Sequence, residues 1–418
     1  MVLYKQARIT AAASAALVKF AEGGLPIFIV GAVPNTTIGA TGQEEVSENM
    51  SILSSGGFRN VRVLSESAFG PEAILSSGVV PRVSARGGGG AADASRLYSM
   101  WRTDNLSGTE FVYLLNRGPE ATFNLQFNTD ESSIPYVLDA WTGEQTHLAA
   151  YQRSGRQLSA NITLSEQQST ILAFSTPPAE QNGLPLHVIS HSSNLAHIRE
   201  NEDGRIEGLV NSTASANAFL SDNRRVEIPA LGDFTTSPIT LGPWNLTVES
   251  YSAPEVLTTT SVTGTKTIIT IPTPLRDLVP WTRVRGLERT SGLGTYRASL
   301  ILPPTRDNGT ELSYTIHFAG RVLNTIRARV NGMPVPAIDL AAPAQGRDIT
   351  ALLKMDHENL IEVEVSSTLF NAVKARMNSL RSVGKGTQVP KYYTDVDWAE
   401  FGLVGNVVIQ TWRRVLLT

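Results

Sequence analysis

Ser291-Gly-Leu-Gly-Thr-Tyr-Arg-Ala-Ser-Leu-Ile-Leu302 decides how this 418-residue chain is read. From Tyr296 onward its apolar residues fall on every second position: Tyr296, Ala298, Leu300 and Leu302 share one face, Arg297 and Ser299 the other. Three further runs repeat the pattern. Leu312, Tyr314, Ile316 and Phe318 alternate with Ser313, Thr315 and His317; Ile326, Ala328 and Val330 alternate with Arg327 and Arg329; Ile361, Val363 and Val365 alternate with Glu362 and Glu364. A period of two marks strands with one face on a core and the other in water. Asn308-Gly309 and Asn331-Gly332 supply the positive φ angles of tight hairpins, so these runs predict an antiparallel β-sandwich or jelly roll.

The order and spacing of Trp281, the Ser291–Tyr296 run, Asn331-Gly332, Asp348-Ile-Thr350 before Leu352-Leu353, Asn359, and Gly402-Leu-Val-Gly-Asn-Val407 carry a resemblance. This region resembles the galactose-binding-like jelly roll of carbohydrate enzymes, in particular the C-terminal noncatalytic region of glycoside hydrolase family 106, the α-L-rhamnosidases. One departure is Asn406, where the family pattern leads one to expect proline. The resemblance implies a parent protein that removes a terminal sugar, rhamnose or a related residue, from a glycan. It also implies that the catalytic carboxylates sit in a barrel domain.

Working outward toward the N-terminus, residues 95–176 read as a small antiparallel β-sandwich. Tyr98–Thr103 and Phe111–Leu115 flank a turn, and Phe123–Phe127, Tyr136–Trp141 and Thr170–Phe174 supply more strands. Leu138-Asp-Ala-Trp-Thr-Gly-Glu144 and Ser169–Phe174 resemble the sandwich that closes many glycosidase barrels. The four glycines at 87–90 read as a flexible joint before it.

Residues 1–85 read as helix, strand, helix, strand, which implies an α/β layer with parallel pairing. Ile9, Ala13, Leu17, Phe20 and Ala21 are expected on one helical face ending at Gly23-Gly24, followed by a buried strand at Pro26–Val30. Thr41 with Glu44 predicts a capping box for a second helix to Leu53, and Phe58–Leu64 a second strand. The segment resembles part of a flavodoxin-like domain, with fewer strands than a whole one. Lys5, Arg8 and Ala11–Val18 imitate a signal peptide, but the amphipathic-helix reading is preferred.

The fold class expected is therefore multidomain and mainly β: a partial flavodoxin-like α/β segment at 1–85, a small β-sandwich at 86–178, a β-rich connection at 179–240 and a galactose-binding-like jelly roll at 241–418.

Composition narrows the chemistry. A net charge of −3 gives no electrostatic reason for nucleic acid or anionic lipid as partner, and no apolar run approaches the roughly 18 residues of a membrane span. Without cysteine there is no disulfide, thiolate nucleophile or cysteine metal site. His187, His191 and His197 do not form a zinc helix, because Val188-Ile189 reads as strand and no glutamate lies between the first two. No metal or other cofactor is predicted; calcium stays possible without assignable ligands. Sequons at Asn35, Asn49, Asn105, Asn161, Asn211, Asn245 and Asn308 are glycosylation candidates and favour a secreted parent.

A glycosidase needs two carboxylates about 5 to 9.5 Å apart, and no run of strand–helix units here builds the barrel that would present them. No catalytic residue is assigned. The expected carbohydrate-binding residues are Trp281, Tyr392, Tyr393, Asp395, Asp397 and Trp398, a loop of carboxylates and aromatic rings that can grip hydroxyls and stack on a sugar face. Trp281 and Trp398 are the preferred exposed platforms. The function expected is that of an accessory C-terminal portion of an α-L-rhamnosidase-like glycoside hydrolase without its catalytic barrel. A free-standing glycan-binding module, an intact hydrolase with its site at a domain junction, and a truncated gene product without separate function are the alternatives.

Overall fold

The computed structural model describes residues 1–85, 94–176, 184–230, 237–252, 264–302, 311–320, 324–384 and 396–418. The glycine joint, Asn308, Tyr392, Tyr393 and Asp395 lie outside the described residues. The protein is mainly β and forms two compact units, residues 1–84 and 85–418.

In the first unit three parallel strands stand in the order Val2–Tyr4, Ile27–Val30, Val61–Leu64. Helices Ala11–Glu22 and Gln43–Ser54 provide Leu17, Ala21, Val46, Met50 and Leu53, which bury Ile27 and Ile29. The α/β layer is as expected, but two details differ. The first helix turns Ser14, Leu17 and Ala21 inward and leaves Phe20 47% exposed. The second helix starts after Gly42, at φ 90°, with no side-chain cap from Thr41; Gln43 instead reaches back, accepting from the Thr37 amide at 2.9 Å and donating to the Asn35 carbonyl at 2.7 Å.

The second unit opens with two antiparallel sheets. One has the order Gln145–His147, Ile134–Leu138, Ser169–Ser175, Glu110–Asn116, Leu97–Thr103; the other pairs Gln152–Ser154, Gln157–Leu164 and Ala121–Asn128. Inward-facing Val112, Leu114, Phe123, Leu125, Phe127, Leu158, Leu172 and Phe174 are all at or below 3% exposure, the alternation expected of a sandwich core. Trp141 sits in a turn and not in a strand, because Asp139 Oδ1 accepts from the Trp141 and Thr142 amides and ends the strand at Leu138.

Two larger sheets enclose the main core. The first runs Thr265–Thr270, Asn245–Ser252, Gly292–Ile301, Glu358–Ser366, Thr325–Val330, Met333–Pro334. The second runs Leu195–Glu200, Ile206–Val210, Val407–Leu416, Leu312–Phe318, Arg347–Asp348, with Ile239–Thr240 also paired to Val407–Leu416. Trp244, Trp281, Tyr296, Ile316, Phe318, Ile361 and Val363 lie between them. The strands at 195–210 come from the connecting segment, yet they hydrogen-bond to the last strand, with Glu207 opposite Leu416 and Val210 opposite Arg413. Among the described residues, no helix is long and apolar enough to cross a membrane.

The alternation read from Tyr296 holds in Gly292–Ile301, Thr325–Val330 and Glu358–Ser366. It fails in Leu312–Phe318, where Ser313 and Thr315 are buried too. Polar neighbours cover that outer face: Ser313 meets the Thr350 hydroxyl at 3.1 Å, and Thr315 Oγ1 accepts from Trp412 Nε1 at 2.7 Å. Asn331 and Gly332 have φ of 53° and 83°, the tight hairpin expected, and Asn331 also donates to the Leu352 carbonyl and to Asn359.

Candidate functional site

Residues 396–403 form a loop clamped over a buried tryptophan. Trp281 has 0% exposure, so the expectation that it offers a sugar platform is corrected. Its indole lies where a side chain on Gly294 would stand 2.4 Å from the ring, and one on Gly402 2.7 Å from it. Only glycine leaves that space, and Gly402 has a φ of 111° besides. Trp281 Nε1 donates to the Tyr296 hydroxyl at 2.7 Å, which also accepts from the Leu403 amide at 3.1 Å, while the Trp281 amide donates to the Phe401 carbonyl at 2.8 Å. Burial pushes the Tyr296 phenol up to about 12. Trp281 is thus the post on which the loop is mounted.

The loop is fastened a second time by helix Phe370–Ser382. Asn371, fully buried, donates to the Ala399 carbonyl and accepts from the Ala399 amide, both at 2.9 Å. Lys374 Nζ donates to the Val396 carbonyl at 2.5 Å. Between these two fixed points stands Trp398, half-buried, with the Arg289 guanidinium 5.4 Å and the Lys374 ammonium 5.2 Å from its ring centre. A stacked sugar must share the indole with these cations. Asp397 is exposed beside it, and Glu400 pairs with Arg283 at 3.5 Å.

Next to this loop, on the far side of Arg289, is an open concavity of about 510 Å³ between Ser250–Ser252, the 286–290 loop and Ala372–Arg376. Arg289 belongs to both. Sequence reasoning anticipates neither the concavity nor the cations Arg289, Lys374 and Arg376. The available signal is the run Phe370–Ser382, whose Lys374, Arg376 and Arg381 without a proline or glycine are consistent with a basic helix.

The buried carboxylates elsewhere are spoken for. Glu207, with a side chain 3% exposed, accepts from Arg199 Nε at 2.8 Å and faces Arg414 Nη1 at 3.4 Å. Asp348 contacts Arg199 and Arg414, each at 3.2 Å, and accepts from the Thr350 amide at 2.9 Å and hydroxyl at 2.6 Å. Burial raises the Asp348 carboxyl, but the Thr350 hydrogen bonds and the two arginines outweigh it and hold it below its ordinary value. An acid so held is a poor proton donor at neutral pH, so this network fits a cross-strand fastening rather than glycosidic chemistry.

His187 stacks on Tyr151 at 3.8 Å and His147 pairs with Glu200. Among the described residues, no three His, Asp or Glu side chains gather as metal ligands do. Of the sequons, Asn35, Asn105, Asn161, Asn211 and Asn245 are exposed, while Asn49 is half-buried and donates to Ser14 at 3.1 Å.

No family model and no curated protein matches the chain. Among solved structures, a rhamnosidase from Novosphingobium sp. PP1Y aligns with 98% of this chain and 33% of its own, at 18% identity and a TM-score of 0.61. The chain therefore spans about a third of the length of that structure. A beta-glucuronidase from Faecalibacterium prausnitzii aligns with 44% of this chain and 32% of its own, at 15% identity and a TM-score of 0.26, too low to support an argument. The likeness to the rhamnosidase is one of fold.

Proposed function

We propose that this chain is an accessory, glycan-engaging portion of an α-L-rhamnosidase-like glycoside hydrolase, related to the C-terminal region of family 106, whose catalytic carboxylates belong to a barrel domain absent from these 418 residues. The observation that carries this reading is the fold likeness over 98% of the chain to one third of a rhamnosidase. In this reading 86–178 is the small sandwich, 179–240 the connection and 241–418 the jelly roll. The residues proposed to meet the sugar are Tyr392, Tyr393, Asp395, Asp397 and Trp398, and Trp281 is assigned the support of residues 401–403. The ligand is a terminal rhamnose or a related glycan, and the parent protein works outside the cell, where the exposed sequons are open to glycosylation.

Two assays on the same preparation test the proposal. Calorimetric titration with rhamnose-capped oligosaccharides is expected to show saturable binding, weakened by Trp398→Ala. Incubation with an aryl α-L-rhamnoside is expected to release nothing. Turnover that disappears on changing one carboxylate would make the chain an intact hydrolase instead, and failure to bind any oligosaccharide would end the glycan-engaging reading.

A further inference from the structure

The concavity beside Trp398 is unequally charged. Arg289 and Arg376 line it, and neither forms an ion pair among the described residues. Arg376 Nε is buried and meets no hydrogen-bond partner there. Glu288 is the one carboxylate of the lining, and it already accepts from the Gly286 amide at 3.0 Å. The nearest other acid along the chain, Glu249, is held by Lys266 at 2.9 Å. The rest of the wall that matters here carries hydroxyls, those of Ser250, Thr290 and Tyr251, the last already hydrogen-bonded to Glu249.

Two guanidinium groups, neither held in an ion pair among the described residues and with Glu288 as the one nearby acid of the lining, suit a planar anion, because the guanidinium fork matches carboxylate geometry and each bond is charge-assisted. Hydroxyl groups beside them suit the ring oxygens and hydroxyls of a sugar. We infer that this concavity binds the carboxylate of an acidic sugar, a uronate within the glycan, through Arg289 and Arg376. The inference rests on the glycan-engaging reading above and names a ligand class for it. Arg289 would join the two surfaces, since it also lies over the Trp398 ring.

The test uses the full chain with a galacturonate trisaccharide, its carboxyl-reduced neutral counterpart, and a neutral trisaccharide bearing one sulfate ester, titrated at low and at high salt. The uronate is expected to bind about tenfold or more tighter than its reduced counterpart, as a charge-assisted pair gained in a partly desolvated site implies. That advantage should shrink as salt rises. Arg376→Met, which keeps Arg289 and Lys374 over the Trp398 ring, should erase it, while Arg376→Lys, which keeps charge but loses the fork, should retain part of it. Helical circular dichroism of each variant checks that Phe370–Ser382 still forms; if Arg376→Met does not fold, the Arg376→Lys comparison and the salt series decide. Equal affinity for the charged and reduced trisaccharides, indifferent to Arg376, would overturn the anion site while leaving glycan binding intact. Tighter binding of the sulfate ester would overturn the carboxylate assignment. Binding of none of the three would overturn the anion site, and the titration with rhamnose-capped oligosaccharides then decides the glycan-engaging reading separately.

Discussion

Trp281 shows how one residue can be misjudged from its neighbours and then explained by its contacts. It follows Pro280, and a tryptophan beside a proline reads as a loop residue open to solvent. What buries it arrives from distant positions, Gly294 and Gly402, whose missing side chains make the slot. Trp281→Ala should therefore cost about 3–5 kcal/mol, the usual price of emptying a large aromatic site. Gly294→Ala should cost about 1–3 kcal/mol by pushing a methyl group into the same ring. Both appear as a lowered urea midpoint of the 85–418 unit. Tyr296, bonded to the same indole, makes a pH prediction. Its phenol is raised to about 12 in the folded protein, against about 10 in an unfolded chain. The folded state holds its proton longer, so the stability is complete below about pH 10 and falls as pH rises toward about 12, by roughly 2–3 kcal/mol in all. Tyr296→Phe should flatten that part of the alkaline slope in denaturation curves taken from pH 9 to 12; an unchanged slope would contradict the assignment. Tyr151, also raised to about 12 by burial, should keep its own share.

At the scale of elements, the strands were legible and their outer faces were not. Period-two alternation locates Gly292–Ile301, Thr325–Val330 and Glu358–Ser366 because their polar faces do meet water or one another, as where Arg297 pairs with Glu362 at 2.8 Å. Ser313 and Thr315 obey the same pattern in sequence yet are buried, since a serine facing water and a serine facing Thr350 are written alike. Helix Phe370–Ser382, which fastens the candidate loop, escapes a reading tuned to strands, and with it go the cations around Trp398. The Arg199, Glu207, Asp348, Arg414 network belongs to this scale too, since it links four strands of one sheet. Glu207→Gln removes the buried carboxylate and leaves Arg199 with Asp348, and Arg414 with Asp348 and Glu311, so it should destabilise by about 1–3 kcal/mol. Asp348 adds an acid dependence: its folded value lies below that of the unfolded chain, so its contribution is present above about pH 4 and disappears as pH falls through the folded value. An acid titration of Asp348→Asn should show a shallower loss than the parent protein.

Across the second unit, specific side-chain contacts join the small sandwich to the jelly roll. Gln168 and Gln345 exchange amide hydrogen bonds at 2.8 and 3.0 Å, Gln168 donates to Asp339 at 2.9 Å, and Arg347 meets Asp139 at 3.3 Å. Gln168 is 6% exposed, so its partners are not replaced by water without cost. Calorimetry is expected to show residues 85–418 melting together. Gln168→Ala, worth about 1–3 kcal/mol in orphaned partners, should separate the sandwich from the jelly roll into two resolved transitions. A single unshifted transition in that variant would show that the amide pair is not what couples them.

Val407–Leu416 lies in the middle of its sheet, between Ile206–Val210 and Leu312–Phe318, although it comes last among those strands in the chain. During synthesis, the two neighbours emerge well before the strand that unites them. The small sandwich can complete its pairing while translation continues, but this sheet must wait with two unpaired edges exposed. Such pairing between remote segments is slow to form. A ribosome that pauses before this strand would hold out open strand edges of the kind that chaperones cover and that neighbouring nascent chains can join.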